Sequence, residues 1–116
     1  MQLTPFHLAI QVRDINEARD FYGNKMGLPE GRSSTDWIDF NLFGHQLVTH
    51  VNPQLGKEGK IASIANGVDG QGVPVPHFGV VLNFDDWEAL AETVTEFVDD
   101  FIIEPYIRFK GQPGEQ

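Results

Sequence analysis

The 116-residue sequence predicts an α+β fold built from paired βαβββ modules that form a cupped sheet, with the second module lacking its C-terminal strand or strands. Three observations carry this expectation. Phe6-His7-Leu8-Ala9-Ile10-Gln11-Val12 returns as Pro76-His77-Phe78-Gly79-Val80-Val81-Leu82, so a histidine opens a strand-like run in each half. Each run precedes an Asp-x-x-Glu sequence, Asp14 to Glu17 and Asp85 to Glu88, which suits a capping box at a helix start. Finally, the first module takes about 45 residues, His7 to Val51, whereas only 39 follow His77. The chain is therefore read as one domain in three parts: a first module over 1–51, a connecting loop over 52–75, and an incomplete second module over 76–116.

The elements follow in order. Phe6, Leu8, Ile10 and Val12 alternate with His7, Ala9 and Gln11, the period of a strand with one apolar face. Ile15, Ala18, Phe21 and Tyr22 form a helical apolar stripe, which Gly27 and Pro29 terminate. An extended stretch is expected around Glu30 to Ser34, and a half-buried strand over Trp37 to Leu42. Phe43-Gly44 turns the chain into a further strand, His45 to Val51. Asn52 to Val75 is Gly-rich with little periodicity and reads as a long connection. In the second half Phe78, Val80 and Leu82 are expected to face a helix whose stripe is Trp87, Leu90, Ala91 and Val94. A strand over Asp100 to Glu104, stopped by Pro105, completes what is legible, with Tyr106 to Lys110 extending it or starting a partner.

Composition narrows the function. A formal charge of −9 argues against nucleic-acid binding, which needs a basic face. Without cysteine there is no disulfide framework, thiolate nucleophile or Cys-type zinc site. No apolar run approaches the length of a membrane span, and the N-terminus has no signal-peptide pattern, so a cytoplasmic protein without membrane partners is expected. No P-loop or Ser-His-Asp pattern is present.

The candidate chemistry lies with histidines. His7 and His77 occupy equivalent positions of the repeat, on the face turned away from the helices, each near a small residue, Ala9 or Gly79. Two imidazoles on a sheet suit a divalent metal, which then needs further imidazole or carboxylate ligands. His50, near a strand end and sharing a face with Gln46 and Val48, is a candidate third ligand or acid–base group, or simply a surface histidine. His45 sits beside a turn and carries a weaker signal. Arg108 and Lys110 flank Phe109 in a chain poor in positive charge; Arg108 is the candidate for holding an anionic substrate group, although a charge-guarded edge strand would look the same.

These residues resemble a known family. Phe6-His7-Leu8-Ala9, Ala18-Arg19-Asp20-Phe21-Tyr22, Gly27-Leu28, Glu30-Gly31-Arg32-Ser33-Ser34, Phe43-Gly44-His45-Gln46-Leu47, Gly72 to Gly79 and Arg108 to Gln116 are similar to the vicinal oxygen chelate superfamily. That superfamily comprises glyoxalase I, the extradiol dioxygenases and the bleomycin and fosfomycin resistance proteins, and the similarity is greatest to small bacterial dioxygenase-like members. The resemblance implies a divalent metal (Fe, Mn, Zn or Ni) that chelates the oxygens of a small organic substrate, in an enzyme of the dioxygenase or lyase type. His7 and His77 match its histidine ligands. Its fourth-strand glutamate falls near Val48, with His50 two residues on, and its final-strand glutamate lies beyond Gln116; Glu115, in a loop motif, does not replace it. Three expectations follow: a chain shorter than its gene product, a homodimer whose partner supplies the missing edge, or a metal-free binding or sequestration protein of the resistance type.

Overall fold

A computed structural model describes residues 1–115. Contacts divide the chain into two compact units, Met1–Ala62 and Ser63–Gln116.

The first unit follows the sequence closely. Strand β1 (His7–Val12) leads into helix α1 (Ile15–Ala18), which widens into a π-helical segment over Arg19–Lys25. The Asp14 side chain caps α1 by accepting from the Glu17 amide at 2.8 Å, as the Asp-x-x-Glu pattern predicts. Gly27, at φ +73°, ends the helical run in the left-handed conformation that glycine tolerates. Strands β2 (Glu30–Ser33), β3 (Trp37–Leu42) and β4 (His45–Val51) follow, giving one four-stranded sheet in the order β1-β4-β3-β2. β3 and β4 are antiparallel around the Phe43-Gly44 turn, where both residues take positive φ, whereas β1 runs parallel to β4.

Alternation sorts the sheet into two faces. Leu8, Ile10, Ile38, Phe40, Leu42 and Leu47 turn toward Ile15, Tyr22, Met26 and Leu28, forming the core. Ile38 and Leu47 are fully buried, and Thr49 joins them by donating its hydroxyl to the Ile38 carbonyl at 3.3 Å. Tyr22 packs between Phe21 and Phe40, with ring centroids 4.9 and 5.6 Å away. Burial pushes its phenol above the ordinary tyrosine value by disfavouring the phenolate. The neutral ring's contribution to stability is therefore full below the unfolded value near 10 and is lost as pH rises through the higher folded value. Urea unfolding at about pH 8 and about pH 11 should show wild type losing more stability than Tyr22→Phe. Equal losses would remove Tyr22 as the cause.

From Asn52 onward the chain departs from expectation at four places. The connection over 52–75, read as pattern-poor loop, contains a short 3-10 turn (Pro53–Leu55) and then a β-hairpin, β5 (Ile64–Val68) with β6 (Gln71–Val75). The run 76–82 is not a strand; it lies outside any ladder, and although Val80 and Leu82 remain half-buried, Phe78, expected on their side, is exposed together with His77, Gly79 and Val81. Helix α2 (Phe84–Thr95) begins before the expected cap: Asn83 accepts from the Asp86 amide at 2.9 Å, in place of Asp85. Its amide group also donates to the Asp86 carboxylate at 2.7 Å, closing the cap. The run 100–104 is likewise unpaired among the described residues. A strand needs a ladder partner as well as an apolar alternation, and the sequence pattern of 76–82 and 100–104 speaks only to the second.

Candidate functional site

The parallel β1–β4 and antiparallel β3–β4 registers set the polar face of the first sheet in rows. His7 aligns with Gln46 and Asn41, Ala9 with Val48 and Asp39, and Gln11 with His50 and Trp37. In the first row His7 Nδ1 is 2.6 Å from Gln46 Oε1. An amide oxygen only accepts, so Nδ1 is the donor in this bond and Nε2 is the nitrogen it leaves uncommitted. His77, in the second unit, is arranged alike: its Nδ1 is 2.7 Å from the Pro74 carbonyl oxygen, which again fixes the proton on Nδ1. Both rings are exposed. An imidazole whose Nδ1–H is anchored on a carbonyl group and whose Nε2 is free is the form that ligates a metal.

His45 has the opposite tautomer. The Phe6 amide donates to its Nδ1 at 2.8 Å, so that nitrogen is the acceptor and Nε2 holds the proton. Its role is to pin the chain entering β1 to β4, and the Phe6 ring meets it edge-on at 6.4 Å. His50 is exposed and shares the open face with His7, but lies four residues along β4 from the Gln46 that faces His7. That separation is about 13 Å along the strands, too far for side chains standing off one face to close on one ion. Among the described residues, no three His, Asp or Glu side chains are gathered closely enough to hold a metal ion.

Elsewhere on the open face, Asp39 is buried at 8% exposure, and its carboxylate accepts from Arg32 Nε at 3.3 Å. The Arg32 guanidinium also stands 6.0 Å from the Trp37 ring centroid.

Arg108 belongs to the second unit. Its Nη2 pairs with Asp69 at the β5–β6 turn, and its guanidinium lies 5.1 Å from the Phe109 ring centroid. Its Nε is buried and has no hydrogen-bond partner. The residue lines a cavity of about 520 Å³ with Val81, Phe84, Trp87, Tyr106 and Ile107 among its neighbours.

Comparison with known proteins places this architecture. The model of the Glyoxalase/Bleomycin resistance protein/Dioxygenase superfamily matches residues 4–106. The chain belongs to that superfamily. Among solved structures, this superfamily member is similar to the glyoxalase/bleomycin resistance protein/dioxygenase from Alicyclobacillus acidocaldarius, with a TM-score of 0.69 and 28% identity over 96% of this chain and 76% of the other. No curated protein matches the chain. The α+β class and the glyoxalase-type fold expected from the sequence are thus observed. No helix among the described residues is long and apolar enough to cross a membrane.

Four neighbours of the candidate residues were not identified from the sequence. Gln46, the anchor of His7, becomes visible only through the β1–β4 register. The cavity neighbours Trp87 and Tyr106 are brought together by folding. Asp69, the counter-ion of Arg108, was within reach: Asp69-Gly70 between two short apolar runs is a strong two-residue hairpin signal.

Proposed function

We propose that this superfamily member is a glyoxalase/dioxygenase-like metalloprotein acting on a small oxygenated organic molecule. His7 and His77 serve as metal ligands through Nε2. The observation that supports this reading is their shared tautomer: each anchors Nδ1–H on a carbonyl oxygen, at 2.6 and 2.7 Å, while His45 does not. A divalent ion bound to such an imidazole would supply Lewis-acid polarisation of substrate oxygens. Gln46 holds the His7 ring, the Pro74 carbonyl holds the His77 ring, and Arg108 binds the substrate. The position of His50 on the open face, apart from His7, favours an acid–base role over that of third ligand. A homodimer located in the cytoplasm completes the reading; exposed Ile64, Val81 and Ile102 offer the second unit apolar surface for association.

The test is metal stoichiometry by elemental analysis, after equilibration with Zn(II), Mn(II), Fe(II) or Ni(II) and removal of free ion. Wild type is expected to retain about one ion per chain, and His7→Ala and His77→Ala each to lose it. A wild type that retains none, or variants that retain as much as wild type, would overturn the assignment. The second reading, a metal-free binding protein, has in its favour that no third ligating side chain is gathered among the described residues.

A further inference from the structure

Helix α2 carries its charges in an arrangement that works against its own stability. Asp85, Glu88, Glu92 and Glu96 follow one another at spacings of three and four residues, so their carboxylates lie along one side of the helix. Glu96 caps the C-terminal end, where the helix dipole is negative, and the last turn holds no basic residue. Among the described residues none of these carboxylates is in an ion pair. Glu88 and Glu92 are exposed, and both border a groove of about 620 Å³. Its apolar lining includes Trp87, Ala91, Tyr106 and Ile107, and Lys110 is also in it. The groove shares Trp87, Tyr106 and Ile107 with the Arg108 cavity, but not Arg108 itself.

The charges select the occupant. Ser63–Gln116 holds two basic residues against ten acidic ones, so the second unit of another copy is repelled, as are nucleic acid and an anionic membrane. Cations relieve the like-charge contacts along α2, and an apolar group covers the exposed part of the Trp87 side. Carboxylates four residues apart on a helix are about 6 Å apart along its axis, the same pitch as basic residues four apart on a second helix. We propose that this groove docks a cationic amphipathic helix of a partner protein, whose basic residues meet Glu88 and Glu92 while an apolar residue seats against Trp87, Ala91 and Ile107. The docking surface goes beyond the metal and substrate roles given above and depends on neither.

The probe is an alanine-based helical peptide with lysines spaced i, i+4 and leucines beside them; a counterpart with glutamine at each lysine is the neutral control. Isothermal titration calorimetry into the full-length protein measures affinity, and amide shifts of 15N-labelled protein locate the contact. The lysine peptide is expected to bind saturably and at least about tenfold more tightly than its counterpart, with the largest shifts in α2 and residues 106–110, and to weaken as salt rises. A leucine-free lysine peptide should bind about tenfold more weakly. Glu88→Gln combined with Glu92→Gln keeps the helix propensity and should weaken the lysine peptide by about fivefold or more. Asp99→Asn combined with Asp100→Asn changes the net charge equally outside the groove and should leave the affinity within about twofold. The proposal is overturned if the glutamine or the leucine-free peptide binds as tightly as the lysine peptide, or if the two double variants weaken binding equally. It is also overturned if the shifts fall elsewhere or are absent, including because a second copy covers the groove.

Discussion

Phe40→Ala is expected to lower the stability of the first unit by about 3–5 kcal/mol. Phe40 is 1% exposed, lies at the centre of β3, and touches the Tyr22 ring that joins the π-helical segment to the sheet. Its removal deletes a large apolar side chain and leaves a cavity between rigid elements, because Ile38 and Leu47 on either side are already fully buried and cannot collapse inward cheaply. A domain of this size has only about 5–15 kcal/mol in total, so the loss consumes a large share. Urea titration followed by tyrosine and tryptophan fluorescence measures it. A midpoint change equivalent to less than about 1 kcal/mol would mean that the Phe40 contacts do not hold this unit together.

Gln46→Ala should weaken divalent-metal binding by about 10- to 100-fold while leaving the fold intact. Gln46 is half-buried and its carbonyl oxygen fixes the His7 ring at 2.6 Å. Without that acceptor the ring is free to rotate and to exchange tautomers, so the fraction presenting a free Nε2 in the correct direction falls. Gln46→Glu distinguishes orientation from bulk: the carboxylate restores the acceptor and increases the basicity of the imidazole, so affinity should recover to wild type or above. Competition titrations against a chromophoric chelator provide the comparison. If Gln46→Ala binds metal like wild type while His7→Ala does not, Gln46 is structural and the anchoring argument fails.

The sequence was most informative where structure is local. β1, β3 and β4 have the residues and boundaries expected, because strict alternation together with the Phe43-Gly44 turn specifies strand and register at once. The face assignment of His7 and His50 follows from the same alternation. Tautomers were not readable, since they depend on which oxygen the fold brings to each ring, as Gln46 and Pro74 show. In the second unit the repeat correctly marked a helix at Phe84–Thr95 but suggested ladders for 76–82 and 100–104, where apolar alternation is present and pairing is not. The hairpin over 64–75 was hidden for the opposite reason: its glycines and Pro74 blur the alternation, and backbone pairing across Asp69-Gly70 defines it instead.

The parallel pairing of β1 with β4 also has a consequence for the order in which the first unit assembles. β3 and β4 meet across a two-residue turn, so their ladder closes at small entropic cost. β1 reaches β4 only across a sequence separation of 39, from His7 to Gln46, and nothing joins the two until that loop closes. β1 is therefore expected to dock last and, in the native protein, to detach first. The His7–Gln46 pair exists only after that final step. Amide exchange along β1 faster than along β2, β3 and β4 would show that the candidate ligand is presented by the most labile strand of its sheet, so that a bound ion would report on complete folding of this unit.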